Sequence, residues 1–229
     1  MKDRIHYNHL ANLFRYPDES YRENVQCCVE LLKLYYPEAY TEIFPFHKYI
    51  NENDIYDIEE VFVKTFHIQA ICFLDLGYVL FAEDYKRGDF LVKVKNEQRK
   101  VNNDCGEELA DNLPNILTLM VLLEDEEFLS EFAVRIVKPA IEKMLEEFDA
   151  SRMELRDSVL KRKHKVLIQQ DLKNKNIFQY ALQALYSVIK KDFVCIEYND
   201  PAFIPLVGGN FLKSCNSGCS TTAQLLKNN

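Results

Sequence analysis

Apolar residues in this chain recur mostly three and four positions apart, the rhythm of one helix face, and hardly ever alternate as a half-buried strand requires. Ile5 to Tyr16 carries one such pattern and stops at Pro17. Asp18 or Ser20 is placed to cap a second helix, running through Leu31, Leu32 and Tyr36 to a stop at Pro37. Ile58, Val61, Phe62 and Phe66 mark one face of a further helix from Ile55. The more continuous apolar stretch from Ile68 to Phe81 predicts a helix buried on most sides, at the centre of the core.

The same spacing returns in Leu113, Ile116, Leu117 and Met120, then in Val137, Ile141, Met144, Leu145 and Phe148, and again in Phe178, Ala181, Leu182, Leu185 and Ile189. Pro139 either kinks the second of these helices or stands in its first turn. Gly88, after Arg87, reads as a helix break or cap. Arg152 to Gln170 is polar and strongly charged, a surface helix or ordered loop. After Phe193 the character changes: Asp200-Pro201, Pro205, Gly208-Gly209 and a Ser/Asn/Gly-rich stretch describe an irregular tail. The pattern predicts an all-α fold, a single-domain bundle of about eight to ten helices over residues 1–198 with a tail over 199–229. Six glycines and seven prolines in 229 residues, against 48% hydrophobic residues, favour long packed helices over a many-turned β-sandwich.

Charge narrows the function. The net charge of −8 argues against a nucleic-acid partner, and its distribution says more. Residues 51–130 hold 18 acidic and 7 basic side chains, residues 151–191 hold 10 basic and 3 acidic, and no Lys or Arg lies between Val101 and Val134. A solvated helix face explains such a surface, as does one that receives a basic partner. Charge-free runs such as Asn112 to Leu123 and Pro201 to Leu212 fall well short of the roughly 20 residues that span a bilayer. Met1 to Tyr16 mixes charges with apolar residues and has no signal-peptide core. Seven cysteines is an odd number, with Cys27 and Cys28 adjacent, which suits reduced thiols in a cytoplasm.

Catalytic patterns are missing. The chain has no GxGxxG, GxxxxGK[ST], GxSxG or HExxH, and no Glu has a His three residues on, as helical di-iron sites require. His6-x-x-His9 and Cys215-x-x-x-Cys219, with Cys195 upstream, are weak metal candidates, because four-ligand zinc sites usually come as two paired knuckles; neither is assigned a metal. Asp75, Glu83, Asp84 and Asp89 lack the histidine or nucleophile that acid/base chemistry would need, but Phe73, Tyr78, Phe81, Tyr85 and Phe90 surround them with aromatic surface. Carboxylates among aromatics suit a groove for an amphipathic peptide that carries arginines. The expected groove is Asp75, Tyr78, Phe81, Asp84, Tyr85 and Asp89, with Glu60, Phe62 and Phe66 as the other location. Glu108, Asp111 and Pro114 suit peptide contact or local structure equally, with Asp111 placed to cap a helix beginning near Leu113 and Pro114 in its first turn.

Four segments carry a family resemblance: Leu10-Ala-Asn-Leu-Phe-Arg-Tyr-Pro-Asp18, Ile58-Glu-Glu-Val-Phe62, Glu83-Asp-Tyr-Lys-Arg-Gly-Asp-Phe-Leu91 and Glu108-Leu-Ala-Asp-Asn-Leu-Pro-Asn-Ile116. In that order they resemble the NarJ branch of the NarJ/TorD/DmsD redox-enzyme maturation chaperones, and Phe132 to Phe148 is similar to the family's next helix. Where the family typically has Glu-Leu-Pro-Asp-His-Leu-Pro, this chain has Ala110 and Asn112. The resemblance implies an all-α protein without catalytic turnover or cofactor, acting in the cytoplasm as monomer or homodimer. Its implied partner is the catalytic subunit of a molybdopterin guanine dinucleotide oxidoreductase, bound through an N-terminal twin-arginine or vestigial leader, with a nitrate-reductase-type client first. The competing expectations are a helical adaptor and a thiol- or metal-dependent protein using the C-terminal cysteines.

A cytoplasmic, odd-cysteine chain should titrate as largely free thiols in freshly lysed, denatured protein. Three disulfides in that assay would contradict the expectation.

Overall fold

Among the residues described by the computed structural model, which are 4–68, 70–149, 152 and 177–194, every regular element is helical. The order is α1 (His6–Asn12), α2 (Tyr21–Tyr35), α3 (Pro37–Glu52), α4 (Ile55–Phe66), α5 (Leu76–Phe81), α6 (Lys86–Lys100), α7 (Leu113–Leu122) and α8 (Glu126–Phe132). A π-helical segment (Ala133–Val137) joins α8 to α9 (Lys138–Glu146), and α10 (Ile177–Asp192) completes the described set. The all-α bundle expected from the periodicity is therefore what the chain forms. The tail with Cys215 and Cys219, Cys195, and the charged stretch after Arg152 lie outside the described residues. Among those described, no helix is long and apolar enough to cross a membrane.

Local chemistry explains most boundaries. Asp54 and Asp125 accept hydrogen bonds from the backbone N–H of Asp57 (2.9 Å) and Phe128 (3.0 Å), satisfying free donors at the starts of α4 and α8. Pro37 does more than stop α2: its fixed φ also begins α3, a helix the proline-stop pattern does not predict. Pro45 lies inside α3, where propensity opposes a helix, but Ala39, Ile43, Phe46, Tyr49 and Ile50 are buried along one face and override it. α3 packs chiefly on α10 and α2.

An aromatic cluster fills the interior between these helices. Phe178 of α10 meets Phe62 and Phe66 edge to face at centroid distances of 5.5 and 5.0 Å and Phe46 at a tilt at 5.3 Å, and Phe14 joins Phe66 at 6.5 Å. Burying each ring contributes roughly 1.5–3 kcal/mol, so α4 faces inward through Phe62 and Phe66.

The stretch Ile68–Phe81 departs from its prediction. It is helical only over α5, with Ile68 67% and Phe73 40% exposed. Its first part wraps the end of α4 instead: Ile68 donates to the Val63 carbonyl, and Ile71 and Cys72 donate to that of Thr65. An apolar run without periodicity does not distinguish a buried helix from a loop that caps one. Gly88 likewise neither breaks nor caps a helix but lies in the first turn of α6, with open space where a Cβ would sit. Pro139 stands in the first turn of α9, directly after the π segment; the wider π turn admits a residue that cannot donate and whose ring crowds the preceding turn.

The ends of the described bundle are tied by polar contacts. Asp192 at the end of α10 accepts from Tyr7 (2.9 Å) and Tyr36 (2.9 Å), and His6 Nε2 lies 2.8 Å from its Oδ2. Arg4 donates to the Leu123 carbonyl at 2.5 Å and to Glu126 at 2.6 Å, fastening the N-terminal segment to the α7–α8 corner. Burial raises the Asp192 carboxyl, but hydrogen bonds from His6, Tyr36 and Tyr7, together with the charge of His6, outweigh it and hold the group below its ordinary value of 3.8.

A carboxyl depressed on folding stabilises fully above its unfolded value and loses that contribution as pH falls through the folded one. Asp192→Asn should therefore cost about 1–3 kcal/mol at neutral pH and flatten the fall in stability with acid below pH 3.8. Urea titrations across that range check both; an unchanged acid limb would refute it.

Candidate functional site

A latch between two loops positions the site. Leu76 donates to the Asp111 carbonyl (3.0 Å) and Leu113 to that of Leu74 (2.9 Å), so the entries of α5 and α7 run antiparallel for a single bridge at Asp75 and Asn112. Asp111 Oδ2 accepts from the Gly77 N–H at 2.8 Å, and Oδ1 is buried without a partner. Burial drives the Asp111 carboxyl up, the Gly77 bond opposes it, Asp75 adds to the rise and Arg87 opposes it. A Cβ on Gly77 would lie 2.7 Å from Asp111 Oδ2 and 3.1 Å from Phe90, so only glycine allows this approach.

The partner loop is ordered from the other side. Gln98 donates to the Ala110 (2.8 Å) and Asn115 (3.0 Å) carbonyls, Asn103 donates to Gln98 (2.6 Å) and Thr118 (3.0 Å), and Asn115 donates to the Leu109 carbonyl (2.9 Å). Buried side-chain amides thus replace secondary structure across residues 101–112.

Beside the latch lies a cleft of about 600 Å³ between the 70–73 segment, α5 and α9. Ile71, Cys72, Val79 and Met144 give it apolar surface, and Phe73 and Tyr78 stand edge to face at 4.4 Å. Glu146, Glu147, Lys143 and Arg152 supply its charge. Arg152 bonds Glu147 and, at 3.1 Å, Glu146. Ala82 also lines the cleft with a φ of 51°, a strained conformation for a residue with a Cβ.

Of the expected peptide-binding residues, only Tyr78 lines this cleft. Asp75 sits behind it, accepting from Asn112 (3.1 Å) and 3.9 Å from Arg87, whose guanidinium lies 5.2 Å from the centre of the Tyr78 ring. Phe81 is half-buried against Phe90 at 5.5 Å. Asp84, Tyr85 and Asp89 are exposed at the start of α6, where Asp84 also accepts from the Lys86 N–H (2.9 Å). Glu108 is exposed.

Three expectations are corrected. Phe62 and Phe66 are 1% and 4% exposed inside the aromatic cluster, which removes the groove placed around them; Glu60 faces outward and pairs with Lys64. Asp111 does not cap α7, whose N-cap is Asn112; its carboxylate holds Gly77, so it is internal to the fold. Pro114 is in the first turn of α7, as its helix-start role requires, but is buried and offers no peptide contact. Phe73, one of the aromatics expected around the groove, lines the cleft, whereas the α9 carboxylates are missing from the expected site because Glu146 and Glu147 look like the solvent face of an amphipathic helix. Only the fold of the 70–73 segment brings them opposite aromatic surface.

No group of three or more metal-ligating side chains assembles among the described residues, and His6 is engaged with Asp192. Cys27, Cys28, Cys72 and Cys105 are not joined in disulfides, and burial together with Cys27 pushes the Cys28 thiol far up.

Gly77→Ala should destabilise the protein by about 1–3 kcal/mol although alanine is the better helix former, because its methyl meets Asp111 and Phe90; denaturant titration reads the change, and a stabilised variant would refute the latch. Compared with known proteins, the chain matches no protein-family model and no curated protein.

Proposed function

We propose that this protein is a cytoplasmic assembly chaperone that binds the N-terminal leader of a molybdoenzyme catalytic subunit, of nitrate-reductase type in the first instance. It would hold that subunit for molybdenum cofactor insertion before export or membrane assembly, without catalysing a reaction itself. The observation that carries this is the cleft, in which an aromatic and aliphatic wall stands against the Glu146–Glu147 rim. A leader helix bearing arginines has the complementary faces: apolar side chains bury against Phe73, Tyr78, Val79 and Met144, and carboxylates select guanidinium over neutral groups. The NarJ-like segments support the same reading, and their Asp111 holds the start of α5, which forms one side of the cleft, against the loop before α7.

The acidic face from Val101 to Val134 adds a longer-range effect. That stretch contributes no Lys or Arg of its own, and its remaining exposed carboxylates draw a basic leader, which raises its rate of encounter more than its final affinity.

Affinity purification from the native host should bring down a molybdoenzyme catalytic subunit. Phe73→Ala should weaken calorimetric binding of that subunit's leader peptide by roughly five- to thirty-fold, with an unchanged melting temperature because the ring is 40% exposed. Equal affinity for parent and variant would remove the cleft as the binding site.

A further inference from the structure

The carboxylates at the cleft rim are already occupied. Arg152 spreads its guanidinium over two of them, one nitrogen on Glu147 and the other 3.1 Å from Glu146. All three side chains are about half exposed, at 47% for Arg152, 56% for Glu146 and 44% for Glu147. Ion pairs this wet contribute at most about 1 kcal/mol to a fold, and they exchange partners readily. A forked guanidinium on paired carboxylates beside aromatic rings is also the arrangement an arginine ligand would adopt.

We propose that Arg152 is an internal stand-in for the ligand's arginine, so that a peptide enters the cleft by displacing it from Glu146 and Glu147. This rests on the proposed peptide-binding role of the cleft and adds its regulation. The apparent affinity for an arginine-bearing peptide is then reduced by the fraction of molecules in which Arg152 holds the rim, a tax that removal of the side chain lifts. Lys143 does not substitute for it, since its ammonium is directed at the Leu80 carbonyl (3.4 Å) at the end of α5. Arg87 occupies the neighbouring acid and aromatic pair, Asp75 and Tyr78, behind the cleft. The interior side is thereby neutralised, and the α9 rim remains the place where an incoming guanidinium meets exchangeable carboxylates.

Displacement has a salt signature. In the parent, binding exchanges one ion pair for another and the net number is unchanged, so affinity falls only gently with salt. With Arg152 neutralised, binding creates a new pair, and affinity falls more steeply as salt screens it.

The test is calorimetry on the full chain with a synthetic amphipathic peptide carrying paired arginines, and with the same peptide carrying neutral citrulline in their place. Arg152→Gln should tighten the arginine peptide by about two- to five-fold, the range an exposed pair allows, and steepen its salt dependence. It should leave the citrulline peptide unaffected. Glu146→Gln with Glu147→Gln should weaken the arginine peptide and abolish the effect of Arg152→Gln. Circular dichroism melting confirms that each variant is folded. Unchanged or weaker arginine-peptide binding by a folded Arg152→Gln overturns the stand-in while leaving the cleft a peptide site. Equal tightening of both peptides overturns it as well. Failure of the parent and of Arg152→Gln to bind either peptide overturns both the stand-in and the proposed function.

Discussion

The Asp111 carboxylate is enclosed by protein and must be held by fixed dipoles, since water does not reach it. The Gly77 N–H supplies one, and one oxygen is left without any. Burying a carboxyl in this way costs free energy, which the surrounding packing offsets by fixing where α5 and α7 begin. α5 and the loop before α7 take their relative positions from that contact together with the backbone bonds of Leu76 and Leu113, and the 70–73 segment is tied in addition to Thr65. If the carboxylate were lost or the glycine enlarged, the start of α5, which carries Tyr78 into the cleft wall, would lose its closest contact with that loop.

The Asp192 cluster does the corresponding work at the opposite end of the sequence. Three side chains from α1 and the α2–α3 junction converge on one carboxylate at the end of α10, joining segments more than 150 residues apart. Asp111 and Asp192 nonetheless respond to folding in opposite directions. Asp192 gains enough hydrogen bonds to become a stronger acid, whereas Asp111 gains too few and becomes a weaker one. Polar groups thus organise both the ends of the bundle and its cleft, while the phenylalanines between them supply most of the cohesion.

Much of the bundle was legible in the sequence, because amphipathic helices announce themselves by period: α4, α7, α9 and α10 follow the apolar spacing closely. What escaped was set by contacts distant in sequence. α3 is hidden by two prolines whose cost is overridden by burial against α10, and α6 exposes so much polar surface that only Phe90, Val94 and Gln98 mark its inner edge. The site was partly legible for the same reason. Tyr78 and the aromatic neighbourhood of the carboxylates could be read locally, whereas the pairing of Phe73 with Glu146 and Glu147 depends on a loop whose course no periodicity encodes. Phe62 and Phe66 have the composition of a binding surface and the spacing of a core; spacing decided.

The π segment between α8 and α9 has a geometric consequence for the rim. A π turn accommodates one more residue than an α turn, so everything beyond it is rotated about the helix axis by about 100° relative to an uninterrupted α-helix. Glu146 and Glu147 owe their angular position to that extra residue among Ala133–Val137. The segment acts as a phase setter: a variant that kept every residue but closed this turn into regular α-helix would keep its composition, yet would turn its acidic edge away from the aromatic wall.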